Sequence, residues 1–444
     1  MKSAGNRRRL FTSSETIANP ISLSLDADLE SSLHLLSILE ASTIPSSPTS
    51  PPKDKTPPRQ EADASINHQL HHALSLHSQV STSSSAAERE HRAQANEAHS
   101  FRKIGAGACG AIFAQEGKSV VVKLAKDPNS QELWNDFQQH RKISRLFNRV
   151  YHVEEVRVPK LLGFVPPKNS EFWDAEPGLT KAAENICTVP TYALLAERIL
   201  PLPRSTRHLL IEKYCAPRGK QKALADPANN DCLVRVYLGS TNGKSSGMFF
   251  SLRNLKLHLN QLIELNLDIE ALASRMGIAL AVMHWGANTD ARDVEFVLGS
   301  SSTKKATLED DLDNIEDDAE ARYVGPSTYR GLEDFFCRET EMWVLDFNQV
   351  RNITLDDAGV ALAVEAVKLN DPYFPKPLKE SEVEKHAWKA FTVSYLENST
   401  TILEEALKND TELGGEILAL PRKFVLGLIE LEKERMTRRE GANA

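Results

Sequence analysis

The 444-residue chain has few cysteines, no long apolar run and no excess of positive charge. Its five cysteines are scattered and odd in number, and none has C-x-x-C spacing, which argues against a disulfide framework or a zinc finger and for a reducing compartment. No run of about 18 apolar residues occurs, so we expect no membrane span. The formal net charge of -8 disfavours a nucleic-acid partner. A cytoplasmic or nuclear protein is expected.

The first part of the chain is polar and rich in serine. Residues 1–100 hold 20 serines, and Ser-Pro and Thr-Pro pairs follow one another between Ser47 and Pro57. Such a segment buries too little apolar surface to offset its ordering entropy, so residues 1–98 are predicted to be a disordered tail with short helices. Leucines recur at helical spacing from Leu25 to Leu39, which predicts a helix that either binds a protein partner or caps the folded body.

The most informative stretch is a glycine loop followed by a lysine-bearing strand. Gly105, Gly107 and Gly110 form the pattern G-x-G-x-x-G, and a β-rich run ending in Lys123 follows a short turn. A dinucleotide-binding loop would open directly onto a helix. Two β-rich runs around a turn predict a hairpin instead. Period-2 alternation places Val121 and Lys123 on one face of the second strand.

The second half of the chain is predicted to contain a helix, an acidic turn, a short strand and then a second strand. A long helix is predicted from Leu265 to His284, followed by an acidic turn and a short strand at residues 296–298. A second strand ends in Asp346-Phe347-Asn348. Between the two strands, residues 309–320 carry eight carboxylates and are predicted to be a solvated loop.

In this order of elements the chain resembles the protein-kinase-like superfamily over roughly residues 101–350, and it looks closer to aminoglycoside and choline kinases than to regulatory protein kinases. It also resembles an uncharacterised fungal family, some of whose members are labelled zinc-finger proteins. The second resemblance is carried by the phrases Asp-Ala-Arg-Asp-Val-Glu-Phe-Val-Leu-Gly and Leu-Asp-Phe-Asn-Gln.

The kinase resemblance implies roles for individual residues. Lys123 matches the lysine that anchors phosphate, and the glycine loop would cover the phosphates of ATP. Glu132 is the first candidate for the acid that pairs with this lysine, and Asp136, one helical turn on, is the second. The backbone from Glu197 to Ile199 would meet the adenine edge.

The resemblance also implies a magnesium site and a general base. Asp346 matches the metal-binding aspartate, and Glu295 stands where the family has a second metal ligand, an asparagine. Asp290, five residues before Glu295, falls at the position of the base, and Asp293 is its rival because the usual His-Arg is absent. No protein-kinase activation segment follows Asp346, so a small-molecule acceptor is favoured over a peptide.

The expected fold is α+β and two-lobed, with a β-rich N-lobe at residues 99–200 and a helical C-lobe at residues 201–444 that carries inserts near 215–250 and 300–335. Three functions remain open: an ATP- and Mg²⁺-dependent phosphotransferase, a pseudokinase that serves as a binding module, and a nuclear regulatory protein without a nucleotide site.

Overall fold

The computed structural model describes residues 58–81, 100–107, 109–115, 118–128, 131–244, 250–302 and 337–443. Of these, residues 65–443 fall in one unit and residues 58–64 in a second. The predicted leucine-striped helix and the acidic stretch at 309–320 lie outside the described residues.

The described elements are, in chain order, α1 (Pro58–Leu74), β1 (Gln79–Ser81), β2 (Phe101–Ala106), β3 (Gly110–Gln115), β4 (Val120–Ala125), α2 (Glu132–Arg145), β5 (Leu161–Val165), α3 (Ser170–Ala175), α4 (Pro177–Ala183), β6 (Ala193–Glu197), α5 (Arg204–Tyr214), α6 (Lys220–Ala225), β7 (Val234–Tyr237), β8 (Leu255–His258), α7 (Leu259–Glu264), α8 (Ile269–Ala281), β9 (Glu295–Ser302), β10 (Cys337–Leu345), α9 (Asp357–Leu369), α10 (Glu382–Asn409) and α11 (Leu420–Asn443). Short π-helical turns follow α2 at Leu146–Val150 and α8 at Val282–Gly286.

Five strands form a first, fully antiparallel sheet in the order β2-β3-β4-β6-β5. One face of this sheet packs on α3 and α4 through Phe172, Trp173 and Leu179. The other face packs on α2, where Leu133 and Phe137 are buried. Because both faces are covered, β4 carries apolar residues on both of its faces.

A second sheet has the order β1-β10-β9-β7-β8. β7 and β8 are parallel, while the remaining pairs are antiparallel. Strand β1 comes from residues that the sequence assigns to the tail, and Leu70 and Leu74 at the end of α1 are also buried in the main core. Residues 65–81 therefore fold with the body, although the sequence predicts a disordered tail as far as residue 98.

The helices after β10 complete the largest core cluster. Helix α8 begins where the Asp268 side chain accepts a hydrogen bond from the Ala271 N–H, and it packs closely on α10. At Gly277 an added Cβ would lie 2.4 Å from the Phe391 carbonyl oxygen, so only glycine allows this approach. The long helix predicted from Leu265 to His284 begins later than predicted, at Ile269, because α7 and a turn precede α8.

The chain is thus a mixed α+β protein with two sheets, which confirms the predicted fold class at that level. Within the described ranges, no helix combines the length and the apolar character needed to cross a membrane.

Candidate functional site

Lys123 lies on β4 between β3 and β6, opposite Ile112 on one side and Leu194 on the other. Val120, Val122 and Leu124 are fully buried, whereas Val121 and Lys123 are half-buried. This alternation confirms the predicted faces of the strand. Gly110 makes the strand pairing possible, because a Cβ there would stand 2.8 Å from the Leu124 carbonyl oxygen.

Two carboxylates hold the Lys123 ammonium. Its Nζ lies 2.6 Å from Asp136 Oδ2 and 2.9 Å from Asp346 Oδ1. Burial by itself would lower the pKa of Lys123, but the charges of Asp136 and Asp346 outweigh it and hold that pKa well above its ordinary value. The lysine is therefore a permanent cation at neutral pH, and it joins the first sheet to the segment after β10.

The partner of Lys123 on helix α2 is Asp136, the second candidate from the sequence. Glu132, the first candidate, lies in the first turn of α2 and is exposed. Asp136 is one turn further along and 5% exposed, and its second oxygen accepts a hydrogen bond from the Phe347 N–H at 3.2 Å. One carboxylate therefore positions both the lysine and the Asp-Phe-Asn segment.

The Asp-Phe-Asn segment is held in a defined conformation. Asp346 has φ 67°, in the left-handed region that aspartate tolerates better than most residues. Phe347 is buried beside the His140 ring, and the Asn135 side chain donates to the Asn348 carbonyl at 2.8 Å. These contacts fix the Asp346 carboxylate, one third of which stays exposed, next to Lys123.

Glu295 begins β9 directly opposite Leu345, so it enters the site beside Asp346. Its Oε1 lies 2.5 Å from Arg235 Nη2. Burial raises the pKa of Glu295, Arg235 opposes that rise, and Asp346 adds to it. Arg235 lies on β7, within the segment predicted to be an insert, and no sequence motif indicated that it belongs to the site.

The two candidate bases occupy different environments. Asp290 is buried, and its carboxylate accepts hydrogen bonds from the Arg351 N–H at 2.9 Å, the Arg351 Nε at 2.5 Å and the Arg292 N–H at 3.1 Å. Asp293 is exposed, and Gln349 Nε2 donates to it at 2.5 Å. Burial and then the Asp346 charge raise the pKa of Asp293. Asp290 therefore stabilises its loop through these hydrogen bonds, whereas Asp293 is exposed to the electrostatic field of Asp346.

The glycine loop closes on itself above Lys123. The Gly107 N–H donates to the Gly110 carbonyl at 2.9 Å, and Lys126 Nζ donates to the Gly107 carbonyl. A strand irregularity occurs between Lys103 and Gly105. An added Cβ at Gly107 would meet no atom of the described residues within 4 Å, and Gly107 is exposed.

Cys109 in this loop is buried close to Lys123. Burial raises the pKa of its thiol, and the Lys123 ammonium opposes that rise. The cysteine therefore remains a neutral thiol at neutral pH and fills space beside the lysine.

The segment expected to contact adenine begins at the last residue of β6. Glu197 pairs with Val120 in the sheet, its backbone N–H donates to the Lys160 carbonyl, and its side chain accepts from the Lys160 N–H at 3.0 Å. Burial raises the pKa of Glu197. Ile199 lies two residues beyond the strand, against β9, where an added Cβ at Gly299 would meet its Cγ2 at 2.4 Å.

The structure thus brings Asp136 and Asp346 into contact with Lys123. Glu295 stands opposite Leu345, the residue before Asp346, and the charge of Asp346 acts on both Glu295 and Asp293. Sequence reasoning missed two arginines that pair with predicted site residues, Arg235 on Glu295 and Arg351 on Asp290. Both pairs join residues about 60 positions apart, so no local spacing could have revealed them.

A family model described as DUF3669, zinc finger protein, matches residues 342–407, which run from the end of β10 through Asp346 and α9 into α10. The chain is similar to that family over this stretch, which contains the Leu-Asp-Phe-Asn-Gln phrase. No curated protein matches the chain. No solved structure matches it either.

The part of the chain that the structure describes contains no metal centre that would match the zinc-finger description. No group of three or more His, Cys, Asp or Glu side chains there is placed to hold a metal ion. Four of the five cysteines are buried as free thiols, and Cys337 is exposed. Structural zinc requires about four nitrogen or sulfur ligands around one point.

Proposed function

We propose that the protein binds a nucleoside triphosphate with Mg²⁺ at Lys123 and Asp346, and that it transfers the terminal phosphoryl group to a hydroxyl of a small molecule. The observation that supports this most is the double contact of Lys123, which touches Asp136 on α2 and Asp346 after β10. In kinase-like proteins a strand lysine, a helix carboxylate and a metal-binding aspartate form this arrangement.

The residues present fit a magnesium–nucleotide complex. Mg²⁺ prefers oxygen ligands and is usually bound through one or two carboxylates plus phosphate oxygens, so a dedicated cage of protein ligands is not required. Asp346 offers a partly exposed carboxylate beside a fixed cation. Asn348 Oδ1, two residues on, is buried with no hydrogen-bond partner among the described residues, and a cation or its bound water would satisfy it.

Each residue then has a defined task. Lys123 binds phosphate oxygens, Asp136 orients Lys123, and Asp346 holds the metal. Mg²⁺ held there would supply charge neutralisation at the phosphates. Asp293, whose pKa is raised by burial and by Asp346, accepts the proton of the acceptor hydroxyl.

The acceptor is proposed to be small because of the chain path after Asp346. Only ten residues separate Asp346 from Asp357, the first residue of α9. Asp356 caps this helix by accepting from the Gly359 N–H, and Thr354 donates to the same carboxylate. A segment this short and this well bonded leaves little room for a loop that could bind a peptide.

A second candidate is nucleotide binding without transfer. The observation that favours it is the burial of Asp290, which occupies the expected position of the base but has three hydrogen bonds from Arg351 and Arg292. If Asp293 does not serve as the base, the site binds nucleotide as a pseudokinase does.

Thermal unfolding of the full chain with ATP, with and without Mg²⁺, tests the proposal. A ligand that binds only the folded state adds RT ln(1 + [L]/Kd), which is about 2.7 kcal/mol at a concentration of 100 Kd. We expect this stabilisation in the wild type and its loss in Lys123→Met. Lys423→Ala, which removes an exposed lysine paired with Asp357, is the matched control and should keep the full shift.

Each variant is compared with its own melting temperature without ligand, so a change in intrinsic stability does not enter the result. No shift in the wild type would overturn the proposal. Turnover of ATP in a screen of small alcohols, lost in Asp293→Asn, would separate the enzyme from the pseudokinase.

A further inference from the structure

The pairing of Glu295 with Arg235 bears on how many metal ions the proposed site takes. Arg235 stands on β7 opposite Val297 of β9, and Glu295 is two residues earlier on the same strand. Since strand residues two apart share a face, Arg235 reaches diagonally to Glu295. The contact is 2.5 Å, and the two side chains are 21% and 22% exposed.

The guanidinium is a fixed charge. Burial would lower the pKa of Arg235, yet Glu295 first and then Tyr373 and Tyr237 raise it above its ordinary value. Arginine stays protonated at any accessible pH, and its planar donors match a carboxylate. The Glu295 carboxylate therefore faces a resident cation that no change of pH removes.

The side-chain charges at the site leave a small net negative charge before any ligand binds. Four carboxylates, Asp136, Asp293, Glu295 and Asp346, carry four negative charges, and Lys123 and Arg235 carry two positive charges. These side chains leave a net charge of two negatives, to which the phosphates of a bound nucleotide would add. The neighbouring Asp290 and Glu365 do not change this balance, because Arg351 and Arg292 pair with them.

We propose that Arg235 supplies the positive charge that a second metal ion would otherwise bring, so that the site takes one divalent cation per nucleotide, on Asp346, with Glu295 withheld from the metal. This inference rests on the proposed nucleotide site and names its metal content. It also gives a role to β7, part of the segment predicted to be an insert.

The test counts Mn²⁺ bound to the full chain by electron paramagnetic resonance, with saturating non-hydrolysable ATP analogue. We expect one Mn²⁺ per bound nucleotide in the wild type, in Arg235→Lys and in Glu295→Gln. Arg235→Gln exposes the Glu295 carboxylate and should bind two. The double variant Arg235→Gln/Glu295→Gln should return to one.

The outcomes separate the two proposals. A wild type that binds no nucleotide overturns the proposed function. A wild type that binds nucleotide with two Mn²⁺, or a Glu295→Gln variant that loses its single Mn²⁺, overturns the role of Arg235 and leaves nucleotide binding intact. A folded Arg235→Gln chain that still binds only one Mn²⁺ also overturns it. Should that variant fail to fold, the wild-type and Glu295→Gln counts decide.

Discussion

Replacing Asp136 by alanine removes the carboxylate that positions both Lys123 and the segment after β10. The side chain is 5% exposed and makes two contacts, 2.6 Å to Lys123 Nζ and 3.2 Å from the Phe347 N–H. Removing one partner of a buried ion pair leaves the other charge uncompensated and costs about 3–5 kcal/mol. Lys123 keeps Asp346 as a partner, so we expect about 3 kcal/mol for Asp136→Ala.

The backbone contact offers a way to divide this loss. A buried N–H left without an acceptor costs about 1–3 kcal/mol. Asp136→Asn keeps an oxygen for the Phe347 N–H but removes the charge opposite Lys123. We therefore expect Asp136→Asn to be less destabilised than Asp136→Ala by about 1 kcal/mol.

Equilibrium urea unfolding followed by tryptophan fluorescence measures these differences. Glu132→Ala is the matched control, because Glu132 is an exposed acid in the same helix, where the helix dipole is worth about 0.3–1 kcal/mol. A loss for Glu132→Ala equal to that for Asp136→Ala would refute the assignment of Asp136 as the lysine partner. A loss below about 1 kcal/mol for Asp136→Ala would refute the energetic reasoning.

Three further predictions concern the remainder of the fold. His284→Asn should lower the free energy of unfolding at pH 7. The difference in that free energy between the wild type and the variant should be smaller by about 2 kcal/mol at pH 5. Gly277→Ala should lower the free energy of unfolding by about 1–3 kcal/mol, since its Cβ would meet the Phe391 carbonyl oxygen at 2.4 Å. Gly415→Ala is the control, because its Cβ would meet no atom of the described residues within 4 Å, and it should change stability by less than about 1 kcal/mol. Iodoacetamide at neutral pH should label the exposed Cys337 first in the native chain, with labelling of the four buried cysteines, followed by mass spectrometry, appearing only on unfolding.

The pH prediction depends on the direction of proton uptake. Burial lowers the pKa of His284 to about 3, below its ordinary value of 6.5. Between those pH values the unfolded chain binds a proton that the folded chain does not, so stability present above pH 6.5 is lost as the pH falls. Parallel pH curves for the wild type and His284→Asn would contradict this account. Equal losses of stability in Gly277→Ala and Gly415→Ala would contradict the glycine prediction. Labelling of Cys109 as early as Cys337 would contradict the cysteine prediction.

Local patterns were enough to place the main elements of the site. The glycines and the alternation around Lys123 predicted the hairpin, because both turn chemistry and strand faces depend on near neighbours. A strand delivering Asp346 and Phe347 was predicted, and β10 ends at Leu345, one residue before Asp346.

Which residues meet across the fold was beyond the reach of these patterns. Glu132 and Asp136 lie one turn apart on α2, and only the packing of that helix on the first sheet decides which of them contacts Lys123. The sequence could also not show that residues 79–81 pair with β10, since strand β1 is only three residues long and its partner follows more than 250 positions later.

The sequence by itself determined the α+β class, the lysine strand and the position of Asp346. It also limited the lysine partner to Glu132 or Asp136 and the candidate base to Asp290 or Asp293. Tertiary structure alone selected Asp136, buried Asp290 under Arg351 and set Arg235 on Glu295. The physical reason is one of range. Strand alternation and turn formation depend on neighbouring residues, whereas the burial and pairing of a charge depend on which distant segments pack around it.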